Sequence, residues 1–130
     1  MNNHTITEYF LNKPYTCVSH PFGEQVDVFK VKDKMFATLS LGSGNEKGTN
    51  GRMKGHYCIN LKCDPDEALA LRDIFDAVIP GYHMNKKLWN TIILDGSMPK
   101  GEIERLIDNS YSLVVSKMTK KEREIIALQM

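Results

Sequence analysis

A chain of 130 residues has room for one hydrophobic core and not for two, so a single domain is expected over residues 1–130. An apolar fraction of 42% with 25% charged residues excludes a disordered or low-complexity protein. The net charge of +1 excludes the global basic field of a dedicated nucleic-acid binder, and no apolar run reaches the length of a membrane span.

Thr5-Ile6-Thr7-Glu8 has capping-box form ahead of Tyr9, Phe10 and Leu11 and predicts a short helix over about 5–12, ended by Lys13-Pro14. Thr16 to Gly23, with Pro14 behind it and Pro21 within it, reads as a loop. From Gln25 the pattern turns extended: Val26, Val28, Phe29 and Val31 form a strand closed by a tight turn at Lys32-Asp33-Lys34. Met35 to Leu41 then alternates so that Met35, Ala37, Leu39 and Leu41 share one face, and the two strands make a hairpin. Tyr57 to Cys63 is a third strand with Tyr57, Ile59 and Leu61 inward. Between them, Gly42 to His56 is a long Gly-, Asn- and Lys-rich loop, a length usually tied to function or mobility.

Asp64-Pro65-Asp66-Glu67 is a strong helix start, with Asp64 as N-cap and Pro65 at the first helical position. Leu69, Arg72, Ile74, Phe75 and Val78 carry that helix to about residue 78, and Pro80-Gly81 breaks it. Leu88 to Leu94 is a further strand, followed by an Asp95-Gly96 turn. Ile103, Leu106, Ile107, Tyr111, Val114 and Met118 recur at helical spacing and predict a long amphipathic helix from about Pro99 to Lys117. Thr119-Lys120-Lys121-Glu122 opens a last helix that uses Ile125, Ile126 and Leu128. The order gives an α+β domain of two layers, an antiparallel sheet of about four to five strands packed by helices.

The charge is unevenly spread. Residues 12–63 hold eight Lys/Arg against four acids, whereas residues 64–84 hold one Arg against five acids. A local basic flank therefore remains open as a phosphate-contacting surface. The three cysteines lack CxxC spacing; Cys58 and Cys63, five apart, would face opposite ways on a strand, and buried thiols in a reducing cytoplasm are expected. The polar start Met1-Asn2-Asn3-His4 is no signal peptide, so the expected location is cytoplasmic. Gly42-Ser43-Gly44 is no nucleotide loop, because Lys47-Gly48-Thr49 runs into a strand and not a helix. No Gly-x-Ser-x-Gly elbow, His-Glu-x-x-His helix or paired metal ligands occur, which points away from an enzyme and from a bound metal.

The densest stretch is His83 to Pro99. It combines His83, Asn85, Lys86 and Trp89 in a His-x-Asn-Lys-x-x-Trp pattern, then Leu94-Asp95-Gly96. This closely resembles the signature of the MmcQ/YjbR family, small bacterial proteins with a CyaY-like (frataxin-like) fold usually described as DNA-binding. Val28-Phe29-Lys30-Val31 with Lys34-Met35-Phe36-Ala37, Asn60-Leu61-Lys62-Cys63-Asp64-Pro65 and Leu106-Ile107-Asp108-Asn109-Ser110-Tyr111 extend the resemblance over most of the chain. It is weakest at the Gly42–His56 loop, which is longer than the family's usual connection. The resemblance implies a double-wing arrangement in which β-hairpins flank a face that meets DNA, with no cofactor and no established catalytic residue. Frataxin-like proteins also bind iron through an acidic ridge, but Asp64, Asp66 and Glu67 are explained here by helix capping and dipole preference.

Two readings of the candidate residues follow. In the first, a non-enzymatic protein binds nucleic acid weakly through a basic hairpin face carried by Arg52, Lys54, Lys86 and Lys87, with Lys30, Lys32 and Lys34 as a secondary set. Trp89 then either stacks on a base beside the lysines or anchors the start of its strand in the core. Lys117, Lys120, Lys121 and Arg123 form another basic cluster, read as surface charge. In the second, the chain is a protein- or small-ligand-binding adaptor using a groove beside Trp89 and the Gly42–His56 loop, lined by Trp89, Tyr82 and Met84. His83 and Asn85 are expected to hydrogen-bond the Leu94-Asp95-Gly96 turn and hold the signature together.

Overall fold

The structure is a computed structural model describing residues 2–129. Among these, four helices and six strands follow in the order α1 (Asn3–Leu11), β1 (Thr16–Ser19), β2 (Val26–Val31), β3 (Lys34–Leu41), β4 (Tyr57–Lys62), α2 (Pro65–Ile74), β5 (Val78–Pro80), β6 (Trp89–Ile93), α3 (Lys100–Ser116) and α4 (Lys120–Ala127). The strands make one antiparallel sheet in the order β1-β2-β3-β4-β6-β5. The α+β class stands, but the sheet has six strands and not four or five.

Both additional strands lie at the edges. β1 occupies the stretch expected to be a loop; it is four residues long and half exposed, so it lacks the alternation that marks a strand. β5 is a three-residue strand that begins at Val78, the expected end of α2. The helix ends at Ile74, with Phe75 already extended (φ −120°, ψ 120°), and Pro80 is tolerated because an edge strand leaves one side of its backbone unpaired. The N-terminal cap also moves. Asn2, not Thr5, is the N-cap of α1: its side chain accepts from Thr5 N at 2.9 Å, while Thr5 Oγ1 accepts from Asn2 N at 3.0 Å. The Asp64 and Thr119 caps are as expected.

A β-bulge sets the centre of the core. Phe29 pairs with Ala37 and Lys30 with Met35, leaving Phe36 as the extra residue on β3. Phe36 is thereby turned inward although the alternation assigns it outward, and it meets Tyr111 edge-on at 5.3 Å and Phe10 at 5.9 Å. Leu41, expected inward, is exposed at the strand end, and so is Leu128 beyond α4. Cys58 and Cys63 are buried, but Cys17 on the edge strand is exposed.

Helices α1, α2 and α3 cover one face of the sheet. Ala37, Leu39, Ile59, Leu61 and Ile92 look toward them and join Ile6, Phe10, Leu71, Leu106 and Ile107 in the core. Arg105 ties α3 to α2 through Glu67 (3.0 Å) while also holding Glu102 (2.6 Å). The opposite face carries Thr38, Ser40, Asn60 and Thr91 by strand alternation, and the Gly42–His56 loop folds over part of it. Met53 from this loop is buried, as are Cys58 and Ile93. Among the described residues, no helix is long and apolar enough to cross a membrane.

Candidate functional site

The antiparallel pairings give the sheet two distinct ends. At one end lie the β2–β3 turn, the end of β4 and the start of β6, since Val31 pairs with Lys34 and Lys62 with Trp89. At the other lie the roots of the Gly42–His56 loop, where Gly42 bridges Lys54 and Leu41 pairs with Tyr57. The basic candidates divide between these ends. Lys30, Lys32, Lys34, Lys86 and Lys87 sit toward the first end, and Arg52 and Lys54 belong to the second.

Several of these side chains have structural partners. The Arg52 guanidinium donates to the Asp76 carbonyl and ties the loop to the entry of β5. Lys54 packs its stem against Gly44. The Lys86 ammonium donates to Gly81 O at 2.9 Å. Lys32 has a left-handed backbone (φ 52°), held by its N–H donating to Tyr15 O at 3.1 Å, with its ammonium 5.0 Å from the Tyr15 ring centroid. Lys87 is exposed.

Pairing and helix packing together build a cationic cleft whose full membership the sequence does not show. Lys34 from the start of β3, Lys62 from the end of β4 and Lys117 at the C-cap of α3 line one cleft of about 480 Å³ with Met35, Val114 and Met118. Among the described residues, its lining holds three ammonium groups and no carboxylate. Sequence alone makes Lys34 a secondary candidate and Lys117 surface charge and gives Lys62 no signal; 28 and 55 residues separate successive members, so only the fold joins them.

The signature stretch is a turn built to be rigid. Gly81 donates to Trp89 O at 2.9 Å, and a Cβ on it would lie 2.8 Å from Trp89 Cβ, so only glycine fits there. His83 is left-handed (φ 61°) and packs its ring against Tyr82 at a tilt of 50°, with centroids 4.1 Å apart. Asn85 Oδ1 accepts from Lys87 N at 2.9 Å, and Asn85 O accepts from Trp89 N at 2.9 Å. Arg72 of α2 clamps the stretch from outside: its Nε donates to Asn90 Oδ1 at 2.8 Å, and its Nη2 donates to the Lys86 carbonyl. His83 and Asn85 therefore do not hold the Leu94-Asp95-Gly96 turn, which lies beyond the far end of β6. That turn closes on itself, with Asp95 Oδ1 accepting from Ser97 N (2.9 Å) and Ser97 Oγ (2.6 Å). The Ser97 hydroxyl, opposed by partial burial and helped by the Ser97 N–H, holds the Asp95 carboxyl below its usual range.

Trp89 is 9% exposed, so its ring is an anchor and not a stacking platform. The groove expected beside it is displaced. A groove of about 490 Å³ does open on the helix-free sheet face, lined as expected by Tyr82, Met84 and the Gly42–His56 loop through Met53, but without Trp89. The loop over this groove is shaped by Glu46, whose carboxylate accepts from Ser43 N (2.9 Å), Ser43 Oγ (2.7 Å) and Gly44 N (3.0 Å). Partial burial opposes ionisation, but these hydrogen bonds win and keep its pKa below the usual glutamate value. Among the described residues, no three His, Cys, Asp or Glu side chains gather as a metal site requires.

The YjbR family model matches residues 11–113, from the end of α1 into α3. The chain belongs to the YjbR family. It is 32% identical to the Escherichia coli O157:H7 protein YbdF over 114 residues, covering 88% of this chain and 84% of that protein. It is 29% identical to YjbR of Escherichia coli K12, covering 85% and 90% respectively. Among solved structures it is similar to Deinococcus radiodurans DR2400, a DUF419-domain protein, with TM-score 0.81 and 30% identity over 97% of this chain and 88% of that one. A Pseudomonas syringae protein superimposes with TM-score 0.76 and 33% identity over 88% of this chain and 99% of that one. As a member of the YjbR family, the chain shares its overall fold with these two solved structures.

Proposed function

We propose that this YjbR-family protein is a non-enzymatic binder of nucleic acid whose contact surface is the basic end of the sheet. The observation that carries this reading is the convergence of Lys34, Lys62 and Lys117 in one cleft without a lining carboxylate. Cations brought together on three separate elements repel one another and cost stability, so their grouping fits an anionic partner. A phosphate backbone is the partner of suitable repeat charge. Lys30 and Lys32 on the β2–β3 hairpin extend the surface along one wing, and Lys86 and Lys87 enter at the same end of the strands. Arg52 and Lys54 lie at the opposite end and are not part of this surface.

A net charge of +1 and acids at Asp33 and Asp64 nearby keep the attraction modest, so the binding is weak, salt-dependent and independent of sequence. The test is fluorescence anisotropy of labelled duplex DNA at several salt concentrations. The logarithm of affinity should fall linearly with the logarithm of salt. The K34A/K62A/K117A variant should flatten that slope by about 2–3. Absence of binding at low salt, or an unchanged slope in the triple variant, would remove the cleft from this role.

A further inference from the structure

The groove on the helix-free face of the sheet is separate from the lysine cleft and has a different chemistry. Thr38 and Asn60 give it a polar floor, and the lining around them mixes apolar Val26, Met53, Tyr82 and Met84 with polar groups that include Glu46. Phe22 at the rim is 65% exposed, a large aromatic left uncovered.

The polar floor is a hydrogen-bond relay with one direction. It starts at the Tyr82 backbone N–H, which donates to Thr91 Oγ1 at 2.9 Å. A main-chain N–H can only donate, so the Thr91 hydroxyl turns its own hydrogen to Asn60 Oδ1. This fixes the Asn60 amide, with its oxygen toward Thr91 and its nitrogen toward Thr38. Asn60 Nδ2 then donates to Thr38 Oγ1 at 3.1 Å. The relay therefore ends on a Thr38 hydroxyl that has accepted a hydrogen bond and still holds a hydrogen to give. Among the described residues that hydrogen has no acceptor, although Thr38 is only 5% exposed and lines the groove. A buried donor without a partner is costly, and here it faces the cavity.

We infer that the groove is a binding site for an uncharged, planar carbonyl compound, an aromatic or heteroaromatic amide. Its oxygen accepts from the Thr38 hydroxyl and from the second hydrogen of Asn60 Nδ2, and its ring lies among Tyr82, Met53 and Met84, where thioether and aromatic contacts suit a flat π-system. The volume of about 490 Å³ is in the range of small-molecule sites. Charge narrows the class further. The Glu46 carboxylate in the lining repels an anion, and a floor that ends in donors selects a compound carrying a carbonyl acceptor.

The experiment titrates the 15N-labelled full chain with benzamide and, in parallel, with benzoate, its anionic near-isostere. Benzamide should give saturable shifts centred on Thr38, Asn60 and Tyr82, and benzoate should not. Thr38→Val, which keeps the shape and removes the donor, should weaken benzamide roughly tenfold, while Thr38→Ser should retain it. Equal responses to the two compounds, benzamide shifts centred elsewhere, or wild-type affinity in Thr38→Val would overturn the assignment. If Thr38→Val does not fold, Thr38→Ser and the comparison of the two compounds on the wild type decide it.

Discussion

Ser110 offers the sharpest test of how this sheet is held. It lies mid-way along α3 with no exposed surface, and its hydroxyl donates to Phe36 O at 2.6 Å while accepting from Lys62 N at 2.8 Å. The β3–β4 ladder runs only as far as Ala37–Leu61, and the next rung would join Phe36 to Lys62. The bulge at Phe36 breaks that rung, and the serine of the covering helix takes its place. Ser110→Ala strands two backbone groups. The Phe36 carbonyl belongs to a fully buried residue and the Lys62 N–H to a half-buried one. Each costs about 1–3 kcal/mol when left unpaired, the half-buried one toward the low end. Alanine returns about 0.5 kcal/mol through its better helix propensity. The expected net loss is about 2–4 kcal/mol. For a chain of this length an unfolding entropy of about 0.27 kcal/mol/K converts that to a Tm lowered by roughly 7–15 °C. Urea unfolding followed by far-UV circular dichroism gives the same quantity as a midpoint lowered by about 1–2 M at a typical slope. A variant within about 0.5 kcal/mol of wild type would show that the ladder closes without the serine, and the account of the bulge would be wrong.

Three further outcomes are expected. Gly42→Ala places a Cβ 1.8 Å from Met53 O, a collision with backbone, so it should destabilise the chain by about 1–3 kcal/mol and speed exchange of the Gly55 amide, which donates to Gly42 O; a wild-type Tm and wild-type exchange would contradict this. Glu46 has a lowered native pKa, so its contribution is present above the ordinary glutamate value of 4.5 and is lost as pH falls through the native value; Glu46→Ala, which removes both acceptor oxygens, should expose the Ser43 and Gly44 amides to fast exchange at neutral pH, whereas unchanged protection would exclude this role for the carboxylate. Burial, reinforced by the hydrogen bond to Asp108, raises Tyr9 to about 12, and burial alone raises Tyr111 to about 12. Because the unfolded chain ionises first near 10.0, stability should be intact below that pH and decline toward 12, with Asp108→Asn returning Tyr9 toward its ordinary value in a spectrophotometric titration.

The elements that can be read from the sequence are those whose signals are local. Asp64 capping α2 and Thr119 with Glu122 capping α4 act within four residues, and both helices start where those residues place them. The α1 cap is ambiguous within the same window, because Thr5 suits either role and Asn2 takes the N-cap. Edge strands are harder for a physical reason. β1 and β5 are paired on one side only and are short, so neither needs a full alternating pattern, and their partners Val28–Val31 and Asn90–Ile92 supply the constraint from elsewhere in the chain. The bulge at Phe36 is equally silent, since the sequence shows alternation but not the one-residue slip that turns Phe36 and Ala37 to the same side.

The same distinction separates the family signature from the candidate sites. His83 to Trp89 is conspicuous in the sequence because it satisfies its own backbone: Gly81, Asn85, Lys87 and Trp89 bond among themselves within nine residues, and Arg72 supplies the outside clamp. A compact motif of that kind marks a self-contained turn, and its lysines are conspicuous by association. The lysine cleft has the opposite character, with members drawn from β3, β4 and α3 and joined by strand pairing and helix packing. The groove relay is more dispersed again, passing from Tyr82 to Thr91, Asn60 and Thr38 across three adjacent strands. Neutral threonines and an asparagine carry no charge or spacing signal in a strand. Their direction comes from one backbone N–H whose partner only the fold can supply. In this protein the most conspicuous stretch of the sequence holds the scaffold, and the residues that line the cleft and the groove come together only once the sheet is built.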